Sequence, residues 1–266
     1  MHILDKIVQF KHKEVEQRKS IKPVQTLLKE TGFKQPKISI SEHILNKETA
    51  IIAEFKKKSP SKQNINLQAN PSQIGLAYQD AGVAGISVLT DTEFFGGSFQ
   101  DLQNVKAVVN VPILQKDFIV NTYQIYEAKA IGADFILLIA AVLSKKQISD
   151  FAKLAQDLDL EVLVEIHEES ELNKAINENI NLIGVNNRNL KTFEVNLEHS
   201  MQLVTKIPDN FIPISESGIS STKAVNVLKN AGFKAFLMGE NFMKTEAPGE
   251  TCKQFINQLN TQNKYG

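Results

Sequence analysis

The sequence predicts an α/β fold, a closed (β/α)8 TIM barrel with an additional N-terminal helical extension. Three observations lead there. Eight short apolar runs alternate with amphipathic segments from about residue 50 onward, the order expected of parallel strands joined by helical crossovers. Three of the helical segments end on one repeated joint, Asp80-Ala81-Gly82-Val83, Ala130-Ile131-Gly132-Ala133 and Asn230-Ala231-Gly232-Phe233, where glycine's access to positive φ lets the chain leave a helix sharply. The length of 266 residues suits one barrel, which commonly takes about 250. Closure also pairs every strand edge, whereas an open sheet would leave two to protect.

The elements follow in order. Residues 1–49 precede the first strand and carry a mixed-charge helix over 3–19, then a second segment bounded by Pro23. Ile3, Leu4, Ile7, Val8 and Phe10 form an apolar stripe that needs a surface, so this helix is expected to lie across one barrel mouth. Strands are expected near 50–55, 85–89, 111–116, 135–139, 161–166, 182–186, 211–215 and 235–238. Helical spacing marks 71–81, 98–109, 121–131, 145–158, 168–177, 197–206, 222–231 and 249–259. No low-complexity linker interrupts the series. The expected organisation is a single domain, 1–266, with 1–49 as the extension and 50–260 as eight βα units.

Composition excludes several classes of function. Lysine plus arginine and aspartate plus glutamate balance at 30 each, so no global field favours nucleic acid or an anionic membrane. An anionic ligand must therefore be held by a local group of cations. The lone cysteine, Cys252, rules out an intrachain disulfide and a cysteine metal cluster. The start, Met1-His2-Ile3-Leu4-Asp5-Lys6, lacks the flank and apolar core of a secretory signal, and no apolar run approaches the roughly 18 residues of a membrane span. A soluble, cytoplasmic protein is expected. The five histidines are scattered, and Glu165-Ile166-His167-Glu168-Glu169 lacks the paired histidines of a zincin. No metal and no cofactor are expected.

The informative residues stand where apolar runs stop. Ala50 to Ala53 runs into Glu54 and Lys56, Val111 to Leu114 into Lys116 and Asp117, and Val162 to Val164 into Glu165. Leu182 to Val185 runs into Asn186 and Arg188, and Phe211 to Ile214 into Glu216 and Ser217. Parallel strands bring those ends to one face. Glu54 and Lys56 lie two apart and share a strand face. A single buried ion pair would be a plug, but Glu54, Lys56, Lys116, Glu165, Asn186, Arg188 and Glu216 on five strands exceed what one plug requires. In a barrel, loops after the seventh and eighth strands often present backbone N–H groups to phosphate, and Ser217-Gly218 and Gly239-Glu240 fall there.

Five motifs carry a resemblance. They are Ala53-Glu54-Phe55-Lys56-Lys57-Lys58-Ser59-Pro60-Ser61, Ser87-Val88-Leu89-Thr90 with Phe95-Gly96-Gly97-Ser98, and Ile113-Leu114-Gln115-Lys116-Asp117-Phe118-Ile119. Ile183-Gly184-Val185-Asn186-Asn187-Arg188-Asn189-Leu190 and Ser215-Glu216-Ser217-Gly218-Ile219 complete the set. In this order and spacing the chain resembles the indole-3-glycerol phosphate synthase family from about residue 3 to 259. The resemblance implies conversion of 1-(2-carboxyphenylamino)-1-deoxyribulose 5-phosphate to indole-3-glycerol phosphate, carbon dioxide and water, without a cofactor, in tryptophan biosynthesis.

It also implies roles. Lys116 is the general acid, and a neighbouring cation such as Lys56, or burial, is expected to lower its pKa usefully. Glu165 is the base, with Glu54 placed to orient or share the proton. For Lys56 three roles stay open: contact with phosphate, second acid, or partner of Glu54. Asn186 and Arg188 contact substrate, and the guanidinium fork suits the carboxylate that leaves, with a rim salt bridge as the competing reading. Glu216 is an active-site carboxylate holding substrate hydroxyls or a lysine. Leu89, Phe95 and Phe118 wall the aromatic ring. Ser59 joins Lys56, Gly218, Gly239 and Glu240 at the phosphate, and Ser217 is a further substrate contact. Glu240 departs from a small hydroxyl residue found in some members, so only its backbone N–H is expected to serve. The expected partner is a small phosphorylated molecule, with neither nucleic acid nor membrane, and a monomer is the working expectation. Two other readings compete: a phosphate-barrel isomerase, against which Lys116 argues, and a non-catalytic phosphate-binding barrel, which would have lost its proton donors.

Overall fold

The computed structural model describes residues 3–60, 62–189 and 194–265. Ser61 and Leu190, which belong to two of the motifs, lie outside the described residues. Eight parallel strands, β1 (Ala50–Phe55), β2 (Gly85–Leu89), β3 (Ile113–Lys116), β4 (Phe135–Ile139), β5 (Glu161–Ile166), β6 (Leu182–Asn186), β7 (Ile212–Glu216) and β8 (Ala235–Met238), close into one barrel in sequence order. Closure is the pairing of β1 with β8, which sets Ala53 beside Met238.

Four helical pieces precede the barrel: α1 (Ile3–Ile21), α2 (Val24–Leu27), a 3-10 turn at Thr31–Lys34, and α3 (Ile40–Leu45). The crossovers are α4 (Pro71–Asp80), α5 (Phe99–Lys106), α6 (Tyr123–Ala130), α7 (Lys145–Asp157), α8 (Glu169–Ala175), α9 (Leu197–Val204) and α10 (Thr222–Ala231). After β8 come the short α11 (Glu240–Met243) and the closing α12 (Pro248–Tyr265).

Caps explain most of the helix starts. Asn70, Ser98, Asn196 and Ser221 each accept a backbone N–H from the first turn of α4, α5, α9 and α10. Ser144 and Gln147 form a reciprocal capping box on α7. The repeated joint leaves its helices at Gly82, Gly132 and Gly232, with φ of 85°, 89° and 123°. Predicted boundaries move where a cap or a proline intervenes. β3 starts at Ile113 rather than 111 because Pro112 has no N–H to offer and uses its carbonyl to receive Ile86 N–H at 2.9 Å. β7 runs one residue later than expected, and α11, which opens at Gly239-Glu240 where a short helix start was expected, shows no helical spacing of its own because four residues are too few to show a period.

Strand alternation sorts the core into two shells. Ile52, Leu114, Phe135, Leu137, Leu163, Leu182, Ile214 and Leu237 fill the barrel, while Ile51, Ile86, Ile113, Ile136, Val162, Ile183 and Phe236 pack outward against the helices. The segment before β1 meets both ends of the barrel. Ile40 and Ile44 of α3 pack with the lumen set at the strand starts, whereas Ile3, Leu4 and Ile7 of α1 line a cavity at the strand ends.

Candidate active site

The strand ends and α1 enclose a cavity of about 320 Å³, within the size range of small-molecule sites. Its wall includes Glu54, Lys56, Ser59, Leu89, Phe95, Lys116, Phe118, Glu165, Asn186, Arg188, Ser217, Gly218, Gly239 and Glu240. One predicted residue departs from this set. Glu216 is wholly buried and lies off the lining, where it receives Lys116 Nζ at 3.0 Å. Of its two expected uses, this one holds a lysine.

Alternation aims these groups inward. Glu54, Glu216 and Gly184 fall on the same inward parity as Ile52, Ile214 and Leu182 of their strands. Register sets Asn186 beside Glu216 and Leu89 beside Lys116. Lys116 reaches Glu54 Oε2 at 3.3 Å as well as Glu216, and Lys56 Nζ lies 2.6 Å from Glu54 Oε1. Glu54 therefore bridges two ammonium groups. Burial works to raise its pKa, but Lys56 and Lys116 overcome that and hold it down to about 2.

The lysine expectation is overturned in direction. Burial does act to lower Lys116, yet Glu216, Glu54 and Glu165 together outweigh it and push the ammonium above its ordinary value. Neighbouring carboxylates, not a neighbouring cation, dominate its surroundings. Glu165 is also pushed upward, which for a carboxyl favours the neutral form. Burial, then the charge of Glu216, raise it to about 7 against the opposing pull of Lys116 and a hydrogen bond from Asn186.

The loops that carry the remaining residues are held by side chains. Asn186 Oδ1 accepts Arg188 N–H at 3.0 Å, and His167 Nδ1 sits 2.8 Å from the Asn186 carbonyl. Arg188 also forms a backbone bridge with Val195. After β7, Ser217 and Gly218 both take left-handed backbone, φ 69° and 71°, an uncommon state for serine. Asn187 stabilises it by donating from Nδ2 to the Ser217 carbonyl at 2.7 Å and to Ser215 Oγ at 3.0 Å. Gly239 packs against Glu54: a Cβ there would stand 2.6 Å from Glu54 Oε1. The Glu240 carboxylate, which opens α11, meets Lys62 Nζ at 3.3 Å. Ser59 and Lys62 exchange backbone hydrogen bonds at 2.8 and 3.0 Å, which folds the first loop tightly. Beyond the end of β1, Lys57 and Lys58 turn from the cavity to Asp101 and the Glu93 carbonyl. The Phe95 and Phe118 rings stand 6.0 Å apart on one wall.

Sequence reasoning missed two charged groups. Lys244, at the end of α11, lines the cavity. Lys11 of α1 is fully buried and ion-paired to Asp91 and Asp117, at 2.8 and 2.9 Å. A signal for Lys11 was present: it stands four residues from both Ile7 and Val15, the other buried members of its helix face. Among the described residues no group of three His, Cys, Asp or Glu is placed to hold a metal.

The closed barrel and a mouth lined by opposed ammonium and carboxylate groups define a class: an α/β-barrel protein equipped for acid/base chemistry on a small molecule. A family model described as Indole-3-glycerol phosphate synthase matches residues 4–256. The chain is 43% identical to the indole-3-glycerol phosphate synthase of Bacteroides thetaiotaomicron over 97% of its own length and 98% of the relative's. It is 47% identical to that of Aliarcobacter butzleri over 79% of this chain and 80% of the relative. It belongs to the indole-3-glycerol phosphate synthase family. Solved structures similar in fold include a mutant tryptophan synthase alpha-subunit from Pyrococcus furiosus, with a TM-score of 0.59 at 15% identity over 80% of this chain and 98% of that one. Orotidine 5'-phosphate decarboxylase from Pyrococcus horikoshii gives 0.60 at 11% over 79% and 99%. These two likenesses concern the barrel alone.

Proposed function

We propose that this chain converts 1-(2-carboxyphenylamino)-1-deoxyribulose 5-phosphate to indole-3-glycerol phosphate, carbon dioxide and water, as a carbon-carbon lyase of tryptophan biosynthesis. The observation that carries the reading is Lys116, held at 3.0 and 3.3 Å between two carboxylates in a cavity that Glu165 also lines. In the first step the ring carbon bearing the carboxylate attacks the ketone carbon, and the carbonyl π electrons move to oxygen. Lys116 donates a proton there. An ammonium held this firmly gives its proton only to a strong base, and an alkoxide is one, comparable with hydroxide, whose conjugate acid has a pKa of about 15.7.

Carbon dioxide then leaves, and the electrons of the broken C–C bond restore the aromatic ring. Finally Glu165 removes a proton from the carbon beside nitrogen while the new hydroxyl departs as water, protonated by a lysine. A base with a pKa of about 7 suits that task near neutrality. Glu54 orients the two ammonium groups it bridges, and Lys56 is the second cation of the site. Asn186 and Arg188 receive the substrate's carboxylate side. Leu89, Phe95 and Phe118 flank its ring. Ser59, Gly218, Gly239 and Glu240, the last through its backbone N–H, with Ser217 beside them, take the phosphate together with Lys56. The pairing of Glu240 with Lys62 supports this by offsetting a carboxylate that would otherwise repel the ligand.

The chain is read as one domain, residues 50–260 forming the barrel and 1–49 an extension over its mouth, which the placement of Ile3, Leu4 and Ile7 supports. A cytoplasmic monomer suits the reading. No helix among the described residues is long and apolar enough to cross a membrane. The test is to incubate purified protein with the proposed substrate and follow indole fluorescence. Turnover is expected, with losses of at least about 100-fold in Lys116→Ala and in Glu165→Gln. A wild type that binds the substrate and forms no indole product would overturn the assignment.

A further inference from the structure

Lys11 is a wholly buried ammonium that the proposed chemistry does not use. Burial alone would depress its pKa, yet Asp117 and Asp91 hold it above the usual lysine range. Its two aspartates do more than balance charge. Asp91 Oδ1 accepts the N–H groups of Phe94 and Phe95, at 2.7 and 3.1 Å, and so shapes the loop after β2. Asp117 Oδ1 accepts Phe118 N–H at 2.8 Å, and its Oδ2 accepts Thr90 Oγ1 at 2.7 Å, which shapes the loop after β3. Each aspartate thus has one carboxylate holding both Lys11 and the backbone that presents one ring of the aromatic wall. Lys11 itself is fixed in α1 by Glu14, at 2.7 Å, and Phe10 packs edge-on against Phe94 at 5.7 Å between ring centres.

We infer that Lys11 is a positioning residue: through Asp91 and Asp117 it sets the separation of Phe95 and Phe118, and thereby the slot that takes the aromatic ring of the substrate. The inference rests on the reading that this wall faces the ring. Thr90, at the head of the Phe95 loop, already ties the two loops at one point through Asp117, at 2.7 Å, and Lys11 adds the counter-ion that the two carboxylates share farther along. Without it, two buried carboxylates would repel across the gap, and the loops that carry them would part. Small displacements of positioning groups cost binding and rate out of proportion to their size.

The experiment compares two unreactive probes, 1-(2-carboxyphenylamino)-1-deoxyribitol 5-phosphate, which carries the ring, and ribitol 5-phosphate, which does not. In wild type the ring-bearing probe is expected to bind more tightly, and Phe95→Ala to reduce that preference. If wild type shows no preference, the wall reading itself fails. Lys11→Met is expected to weaken the ring-bearing probe at least tenfold and to leave ribitol 5-phosphate within about twofold. Equal losses for both probes, or a lowered melting temperature with both affinities intact, would reduce Lys11 to a structural residue and overturn the inference. Asp91→Asn keeps the acceptor for Phe94 and Phe95 and leaves Lys11 paired with Asp117 and Glu14, so it serves if the methionine variant does not fold. It is expected to shift the same preference in the same direction, and an unchanged preference there overturns the inference equally.

Discussion

Glu165 and Lys116 sit in one cavity and are both pushed upward, for reasons that differ. Glu165 rises to about 7 because burial and the Glu216 charge disfavour its ionised form, while Lys116 rises because three carboxylates favour its charged form beyond what burial removes. The sign for activity follows from what each must do. A base works only when unprotonated, so kcat/KM is expected to fall about tenfold per pH unit below about 7. Lys116 stays protonated across the same range and adds no limb there. In Glu216→Gln the charge that raises Glu165 is gone, so the acid limb should move to lower pH even as the rate drops through loss of a Lys116 partner. A pH profile of kcat/KM in both proteins checks this, and a limb that stays in place would remove Glu165 from its assigned role.

At the scale of elements, one strand residue makes room for the network. Gly184 lies on the inward face of β6, between Glu165 of β5 and Ile214 of β7, and a Cβ there would overlap Glu216 Oε1. Glycine within a strand is weak on its own account, and its use here marks a close approach. Gly184→Ala is expected to cost about 1–3 kcal/mol in urea unfolding through overpacking. It should also lower kcat at least about tenfold by shifting Glu216 from Lys116. The glycine was visible in its motif, but the strand alone gave no reason for it. That reason is a carboxylate from the next strand, brought into register only when β6 and β7 pair.

Across the whole molecule the two ends of the barrel divide the work. Active groups collect at the strand ends, and the opposite end is held by groups such as Asp134, nearly fully buried just before β4. Its carboxylate receives Lys106 at 2.7 and 2.9 Å, Ile113 N–H at 2.8 Å and Ile38 N–H at 2.8 Å, tying the crossover α5, strand β3 and the leading segment together. Asp134→Ala strands those donors and is expected to cost about 3 kcal/mol of stability, with kcat within about twofold of wild type because the site lies at the other end. Urea unfolding and steady-state turnover measured on the same preparation check both halves of that statement. A large fall in kcat with stability preserved would contradict the division.

Local information was enough for what depends on period and position along the chain. Apolar runs of strand length, helical spacing between them and glycine after the helices imply the barrel, because these patterns arise from backbone geometry that each segment carries itself. The same alternation aimed Glu54, Lys116, Glu165 and Asn186 at a common mouth. Quantities that belong to pairs of distant residues were another matter. The direction of the Lys116 shift depends on Glu54 and Glu216 arriving from β1 and β7, and the meaning of Lys11 depends on Asp91 and Asp117 arriving from two later loops. No segment contains its own electrostatic surroundings. Closure of the sheet decides which charges become neighbours, and at 3 Å in a buried site the neighbours decide the chemistry.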